Sequence, residues 1–152
     1  MPNREILTAD RDAAPEETAR ILAAAESLHR QLRPKIPADY AGYLGTMFAE
    51  GAHLTLLRED GAARALAVWR VFHTTYNGLR FYVDDLVTDE SLRGSGHGGV
   101  LLGWLEERAR ALGVDVFALD SGVQRTRAHK FYFTHGLAIV SFAFSKALSG
   151  RF

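Results

Sequence analysis

Four glycines fall within the six positions from Gly94 to Gly99, between a strand-like segment and an amphipathic helical one. Glycine has no Cβ and lets backbone N–H groups approach a ligand closely, and the helix that follows directs its positive dipole end at the same point. Together these features favour a phosphate or pyrophosphate site over a plain flexible connector. The fold of this chain must therefore place a strand, this loop and a helix in direct succession.

The hydropathy pattern on both sides of the loop predicts an α/β fold, an α+β mixed sheet with helices on its faces. Turn signals at Glu59–Gly61 and Thr74–Gly78 join the middle strands as hairpins, so the central sheet should be mostly antiparallel. We predict the order β-α-α-β-β-β-α-β-α-β in one domain, residues 1–152. The predicted strands are Ile6–Thr8, His53–Arg58, Ala63–Phe72, Leu79–Thr88, Val114–Leu119 and Ile139–Lys146, and the predicted helices are Pro15–Arg33, Ala38–Glu50, Val100–Leu112 and Thr126–His135.

Composition excludes several classes of function. The 18 Lys and Arg balance 18 Asp and Glu, and without a basic surplus nucleic acid is not expected as a partner. The absence of cysteine excludes disulfides and a thiol nucleophile. No apolar run approaches the roughly 18 residues of a membrane span, and the charged N-terminus does not look like a signal peptide, so we expect a cytoplasmic protein without membrane contact.

The loop admits two phosphate-binding interpretations. Gly94, Gly96 and Gly99 satisfy the dinucleotide pattern G-x-G-x-x-G, with Asp120 about 20 residues further on. Against this, the preceding strand carries Asp84 and Asp85, unlike the continuous apolar run of a buried parallel strand. The hairpins upstream and the short remainder of the chain also argue against a doubly wound nucleotide-binding fold.

The second interpretation rests on the pattern Arg-x-x-Gly-x-Gly, formed by Arg93, Gly96 and Gly98. With its flanking strand and helix, it resembles the acetyl-CoA loop of the GCN5-related N-acetyltransferases (GNAT). A second motif follows at the family's usual separation, with Ala128, then Phe131-Tyr132, then Gly136-Leu137. The similarity covers about Ile6 to Leu148, and the last part looks most like small bacterial members that acetylate aminoalkylphosphonates and other small amines.

This resemblance implies an acetyl-CoA-dependent N-acetyltransferase that acts on a small-molecule primary amine by direct attack in a ternary complex. A non-catalytic acyl-CoA-binding or sensing module, and a protein N-terminal or lysine acetyltransferase, remain as alternatives. Backbone groups of the strand end would hold the pantetheine, and the loop would hold the pyrophosphate. The implied cofactor contacts are Leu86, Val87, Thr88, Arg93, Gly94, Ser95, Gly96, His97, Gly98, Gly99, Arg125 and Ala128.

Three residues are candidates for proton transfer. Tyr132 shares a helix face with Arg125 and Ala128 and would protonate the departing thiolate. Asp85, at the acidic position that precedes the family's Leu-x-Val strand core, is the first candidate for the base, and Asp120 is the second. Either carboxylate would also attract an ammonium group, so substrate binding is the alternative role.

Other features carry weaker expectations. Arg125 stands where many relatives have Asn, so we expect it to meet a phosphate or an anionic substrate group instead. The six histidines lie in separate elements or at unsuitable helix spacing, so no metal site is expected, and His97 should be exposed in the loop. The exposed sheet edge near the C-terminus is a candidate surface for a homodimer.

Overall fold

The predicted order is largely realised in a computed structural model, which describes residues 1–92 and 94–152. The chain divides into two compact units, Met1–Ala118 and Leu119–Phe152. The elements in chain order are β1 (Arg4–Ala9), α1 (Pro15–Leu32), α2 (Tyr40–Ala49), β2 (His53–Glu59), β3 (Ala62–Thr74), β4 (Gly78–Thr88), a 3-10 turn (Glu90–Leu92), α3 (His97–Ala111), β5 (Val116–Leu119) and α4 (Thr126–Thr134).

The strands form one sheet in the order β1-β2-β3-β4-β5. The first four are an antiparallel meander, with Ile6 opposite Leu57, Leu56 opposite Leu66 and Leu66 opposite Val87. A tight turn at Asp60 and Gly61, both with positive φ, joins β2 to β3. The mostly antiparallel mixed sheet confirms the predicted fold class.

Apolar residues cover both faces of the sheet. One face packs against α1 and α2 through a core that includes Ile21, Leu44 and Val68. Adjacent strand residues point to opposite faces, so Ala65 and Ala67 face away from that core, and α3 packs there with its buried leucines. In the described part of the chain, no helix combines the length and the apolarity needed to cross a bilayer.

Two predicted elements differ from the structure by more than two residues. Helix α3 begins at His97, three residues before the predicted Val100, because Gly96 adopts the left-handed conformation (φ 83°) and turns the chain directly into the helix. Gly98 and Gly99 therefore belong to its first turn. Residues 137–148 have neither helix nor strand geometry among the described elements, so the strand predicted at Ile139–Lys146 is not assigned. A strand is assigned only where its backbone pairs with a neighbouring strand, and among the described residues 139–146 have no such pairing.

Candidate active site

The glycine loop leads into an open helix N-terminus. The N–H of Val100 makes the first helical hydrogen bond, to the Gly96 carbonyl at 3.1 Å, so the N–H groups of residues 97–99 precede the hydrogen-bonded ladder. The N-cap residue, Gly96, has no side chain with which to cap this end of α3. The N–H of Ser95 donates to the Leu92 carbonyl at 3.2 Å and is already used within the loop. Arg93, the predicted charge beside the pyrophosphate, lies outside the described residues.

A Cβ placed on Gly94 or Gly96 would meet nothing within 4 Å, and both glycines have positive φ. These glycines are therefore required by the path of the backbone and not by close packing against the protein. Because open space lies beside them, an anionic group has room to approach the helix end. The N-terminus of α3 fits the diphosphate of coenzyme A on this evidence.

His97 is buried, which corrects the expectation of an exposed loop residue. Its side chain is 6% exposed, and its Nε2 lies 3.3 Å from Oε1 of Glu59 at the end of β2. The other carboxylate oxygen of Glu59 accepts a hydrogen bond from Nε of Arg4 at 2.6 Å. His97 thus ties the first residue of α3 to the sheet.

The end of β4 offers backbone groups to a ligand. On one side, Leu86 is paired with Ala67 and Thr88 with Ala65 of β3. On the other side, β5 follows Asp115, whose N–H donates to the Leu79 carbonyl at 2.7 Å near the start of β4. Since β5 has four residues and a strand rises about 3.3 Å per residue, it does not reach residues 86–88. That edge is suited to the amides of an extended ligand.

Asp84 and Asp85 lie at a β-bulge. Val68 is paired with Asp85 while the next residue, Trp69, is paired with Val83, so Asp84 has no partner in β3. Cross-strand partners share a face, which places Asp85 with Val68 on the α1 side of the sheet. Without the extra residue, alternation would place Asp85 on the same face as Val83. The bulge therefore determines where this carboxylate points.

On that face, Asp85 contacts two side chains, His29 in α1 and Arg33 at the C-cap of the same helix. Its Oδ2 lies 2.7 Å from Nε2 of His29, and its Oδ1 accepts a hydrogen bond from Nε of Arg33 at 2.7 Å. The Asp85 side chain is 11% exposed, His29 is 2% exposed, and Arg33 is 49% exposed. A nearly buried carboxylate thus has an imidazole at one oxygen and a guanidinium at the other.

These contacts set opposite pKa directions for the two neighbouring aspartates. Burial raises the pKa of Asp85, but the hydrogen bond from His29 and the charge of Arg33 outweigh it and hold this pKa below its ordinary value. Burial dominates for Asp84 and raises its pKa, although Arg70 donates to it at 2.8 Å. Asp85 is therefore a stable anion and a weak base.

The network continues from His29 into the core. Its Nδ1 lies 2.9 Å from the hydroxyl of Tyr40, at the first residue of α2. Because an ionised carboxylate only accepts, a neutral His29 donates from Nε2 to Asp85 and accepts at Nδ1 from Tyr40. Burial raises the pKa of the Tyr40 phenol, which keeps it protonated for this role. Sequence analysis missed His29, although it shares the helical spacing of the buried residues Ala25 and Leu28.

The second unit holds the remaining predicted residues. Arg125 occupies the N-cap position of α4 without a capping hydrogen bond from its side chain, and Tyr132 lies in the last turn of the helix. Burial raises the pKa of Tyr132, and the charge of Arg125 partly opposes the change. Ala128 is partly buried between them in sequence, and Asp120 is exposed just after β5.

The first unit thus contains Asp85, the edge of Leu86–Thr88 and the open end of α3, and the second unit contains Arg125 and Tyr132. His29, Arg33, Tyr40 and Glu59 are additions that sequence analysis did not identify. Within residues 1–92 and 94–152, no three His, Asp or Glu side chains converge in a group able to hold a metal ion.

Comparisons with known proteins agree with this geometry. The sequence profile described as the Acetyltransferase (GNAT) family matches residues 18–137. Aminoalkylphosphonate N-acetyltransferase of Salmonella typhimurium is 29% identical over 140 residues, which cover 91% of this chain and 90% of that protein. An uncharacterized N-acetyltransferase of Bacillus subtilis, YhdJ, is 38% identical over 100 residues, covering 64% of this chain and 69% of that protein. The solved structure of aminoglycoside N-acetyltransferase AAC(6')-Iy with CoA has a TM-score of 0.80 at 18% identity and covers 98% of this chain and 97% of that one.

Proposed function

The chain belongs to the acetyltransferase (GNAT) family and is an acetyl-CoA-dependent acyltransferase, and we propose that it acetylates the primary amine of a small molecule by direct attack in a ternary complex. The open N-terminus of α3, which follows the edge of β4 across the glycine loop, is the observation that carries the proposal. The relative from Salmonella typhimurium is named for acetylating aminoalkylphosphonates, which supports a small amine as acceptor.

Acetyl-CoA supplies the acetyl thioester, and the chain binds and orients it. The N–H groups of His97, Gly98 and Gly99 would bind the diphosphate, with Arg93 adding positive charge. The backbone of Leu86–Thr88 would pair with the pantetheine amides, as one strand pairs with another. Arg125 and Ala128 are further proposed contacts to coenzyme A, as the family resemblance implies. A site of this kind uses backbone donors and so requires glycine more than any particular side chain.

Asp85 would bind the acceptor's ammonium group through the lone pairs that the contacts to His29 and Arg33 leave open, since each carboxylate oxygen can accept more than one hydrogen bond. Its lowered pKa makes it a poor proton acceptor, but a carboxylate that stays ionised is a good partner for a cation. Removal of the amine's proton would then fall to water or to Asp120. Of the two roles expected for Asp85, we thus propose substrate binding and not that of the catalytic base.

Tyr132 would donate its proton to the departing thiolate sulfur. Burial raises its pKa, so the phenol is protonated at neutral pH and available as a general acid. The chain has no cysteine to carry the acetyl group as an enzyme thioester. Direct transfer to the amine is the pathway that agrees with both facts.

The test is thiol release from acetyl-CoA with a panel of small primary amines and peptides, followed by initial-velocity analysis of the best acceptor. Release with a small amine and intersecting velocity patterns would support the proposal. Parallel patterns would contradict a ternary complex. Binding of CoA without release for any acceptor would indicate the sensing module, and release only with peptides would indicate a protein acetyltransferase.

The placement of the diphosphate has its own test. Calorimetry should show weaker CoA binding by Arg93→Ala, because a cation beside the phosphates is lost, with a much smaller change in turnover at saturating acetyl-CoA. Arg20→Ala is the matched control, since Arg20 lies on α1 and forms an exposed ion pair with Glu17. Equal CoA affinity of Arg93→Ala and the unmodified protein would overturn the assignment.

A further inference from the structure

A row of three side chains connects β1, β2 and the start of α3 beneath the glycine loop. Arg4 donates to Oε2 of Glu59 at 2.6 Å, and Oε1 of the same carboxylate lies 3.3 Å from Nε2 of His97. These hydrogen bonds hold the pKa of Glu59 below its ordinary value, so the carboxylate is ionised. An ionised carboxylate only accepts hydrogen bonds, and Nε2 of His97 is therefore the donor.

Glu59 is itself held firmly at the end of its strand. It is paired with both Arg4 of β1 and Ala62 of β3 in the sheet. Beside it, the N–H of Asp60 donates to the Asn3 carbonyl at 2.8 Å, and Oδ1 of Asp60 accepts from the N–H of Asn3 at 3.0 Å. The acceptor for His97 is thus part of the sheet and not of a loose loop.

The start of α3 needs such a contact. Glycine is a poor helix former because it loses the most backbone freedom on folding, and Gly96, Gly98 and Gly99 surround His97. Its N-cap residue, Gly96, has no side chain that could cap the helix. His97 is 6% exposed and is the one residue of the described loop from Gly94 to Gly99 that is buried.

We propose that His97 is a positioning residue for the diphosphate of coenzyme A. By donating to Glu59, it fixes the first turn of α3 so that the N–H groups of residues 97–99 are aligned before the ligand arrives. The side chain of His97 donates to Glu59, and its backbone N–H would donate to the diphosphate. This inference rests on the proposed function, because aligned amides matter only if a diphosphate binds there.

The experiment compares two ligands that differ in the diphosphate. Calorimetry is carried out with acetyl-CoA and with acetyl-pantetheine, which lacks the diphosphate and the nucleotide. Loss of one hydrogen bond to a charged group should make His97→Leu bind acetyl-CoA about tenfold more weakly, while the affinity for acetyl-pantetheine changes by less than about twofold. His97→Gln keeps an N–H donor toward Glu59 and should restore most of the affinity.

His73→Leu is the matched control, because His73 is an exposed histidine near the far end of β3. The positioning role would be overturned if His97→Leu bound acetyl-CoA as tightly as the unmodified protein, or if it lost the same factor of affinity for both ligands. Should His97→Leu fail to fold, Glu59→Gln tests the same contact by removing only the charge of the acceptor, and a selective loss for acetyl-CoA is again expected. Failure of the proposed function is a different result, namely an unmodified protein that binds neither ligand.

Discussion

His29 and Asp85 form a nearly buried pair, with Nε2 of the imidazole 2.7 Å from Oδ2 of the carboxylate. They are brought together from α1 and β4 by the one-residue bulge at Asp84. A buried carboxylate is costly unless it is paired and hydrogen-bonded, and here His29 and Arg33 satisfy both of its oxygens. The contacts to His29 and Arg33 therefore keep Asp85 ionised and fix the position of its negative charge.

The first prediction concerns acid stability. The folded pKa of Asp85 lies below the ordinary value of 3.8, so its contribution to the free energy of unfolding is complete above the unfolded pKa and is lost as pH falls through the folded one. We expect Asp85→Asn to be about 1–3 kcal/mol less stable than the unmodified protein at pH 7 and to show a flatter decline below pH about 5. Urea unfolding at a series of pH values measures both effects.

Asp84→Asn is the control for this prediction. Because burial raises the pKa of Asp84 in the folded state, its titration favours the folded protein as pH falls, the opposite sign to Asp85. The decline of the Asp84→Asn variant below pH about 5 should be as steep as that of the unmodified protein or steeper. An equal flattening in both variants would contradict the pairing as the cause.

Much of the fold follows from local patterns in the sequence. The spacing of Ile21, Leu22, Ala25 and Leu28 predicted α1, and the turn at Asp60-Gly61 predicted the β2–β3 hairpin. These signals are local, since each depends on residues that are neighbours along the helix or across one turn. The GNAT motifs, read on the same elements, identified the family that the sequence profile confirms.

The parts that were missed depend on contacts between distant residues. Alternation along β4 predicts that Asp84 and Asp85 point to opposite faces, and the bulge makes this prediction wrong. Asp85 lies on the face of Val68, and Asp84 accepts a hydrogen bond from Arg70, which is two residues from Val68 on that same face. No local feature of the sequence in Val83–Leu86 predicts the bulge. His97 was expected to be exposed because a glycine-rich context is usually a surface loop. Its burial depends on Glu59, 38 positions earlier in the chain.

The second prediction concerns Tyr132. Replacing Tyr132 with Phe removes the proposed proton donor and leaves the aromatic ring, so kcat should fall by about 10²–10⁴ while the affinity for CoA changes little. Burial raises the pKa of the phenol above its ordinary value of 10.0. Deprotonation of Tyr132 should therefore cause no loss of kcat as the pH rises toward that value. Stopped thiol-release assays between pH 6 and about 10 measure both quantities.

Tyr76→Phe is the matched control for the acid, because Tyr76 is 72% exposed in the turn between β3 and β4. It makes the same chemical change and should leave kcat unaltered. A Tyr132→Phe variant that turns over as fast as this control would remove Tyr132 from the role of acid. A variant with weakened CoA binding and normal turnover would instead make Tyr132 a binding residue.

The third prediction concerns the hydroxyl of Tyr40. Tyr40→Phe would leave Nδ1 of the buried His29 without its partner at 2.9 Å, and an unsatisfied buried acceptor costs about 1–3 kcal/mol. The free energy of unfolding at pH 7 should fall by that amount, whereas Tyr76→Phe should change it by less than about 0.5 kcal/mol. Equal stability of the two variants would show that Tyr40 does not satisfy His29 in solution.

The last prediction compares two glycines of α3, one that the path of the backbone requires and one that alanine could replace. Gly96 has φ 83°, and although a Cβ there would meet nothing within 4 Å, an alanine in the left-handed region costs about 1–2 kcal/mol. Gly103 lies exposed inside the helix, also with open space, and alanine there should stabilise the protein by about 0.5–1 kcal/mol.

The free energy of unfolding, measured in urea, should therefore fall for Gly96→Ala and rise for Gly103→Ala. Calorimetry should show weaker CoA binding for Gly96→Ala alone. If both variants bind CoA equally well, the turn at Gly96 does not set the direction of the α3 amides, and the diphosphate must be held elsewhere.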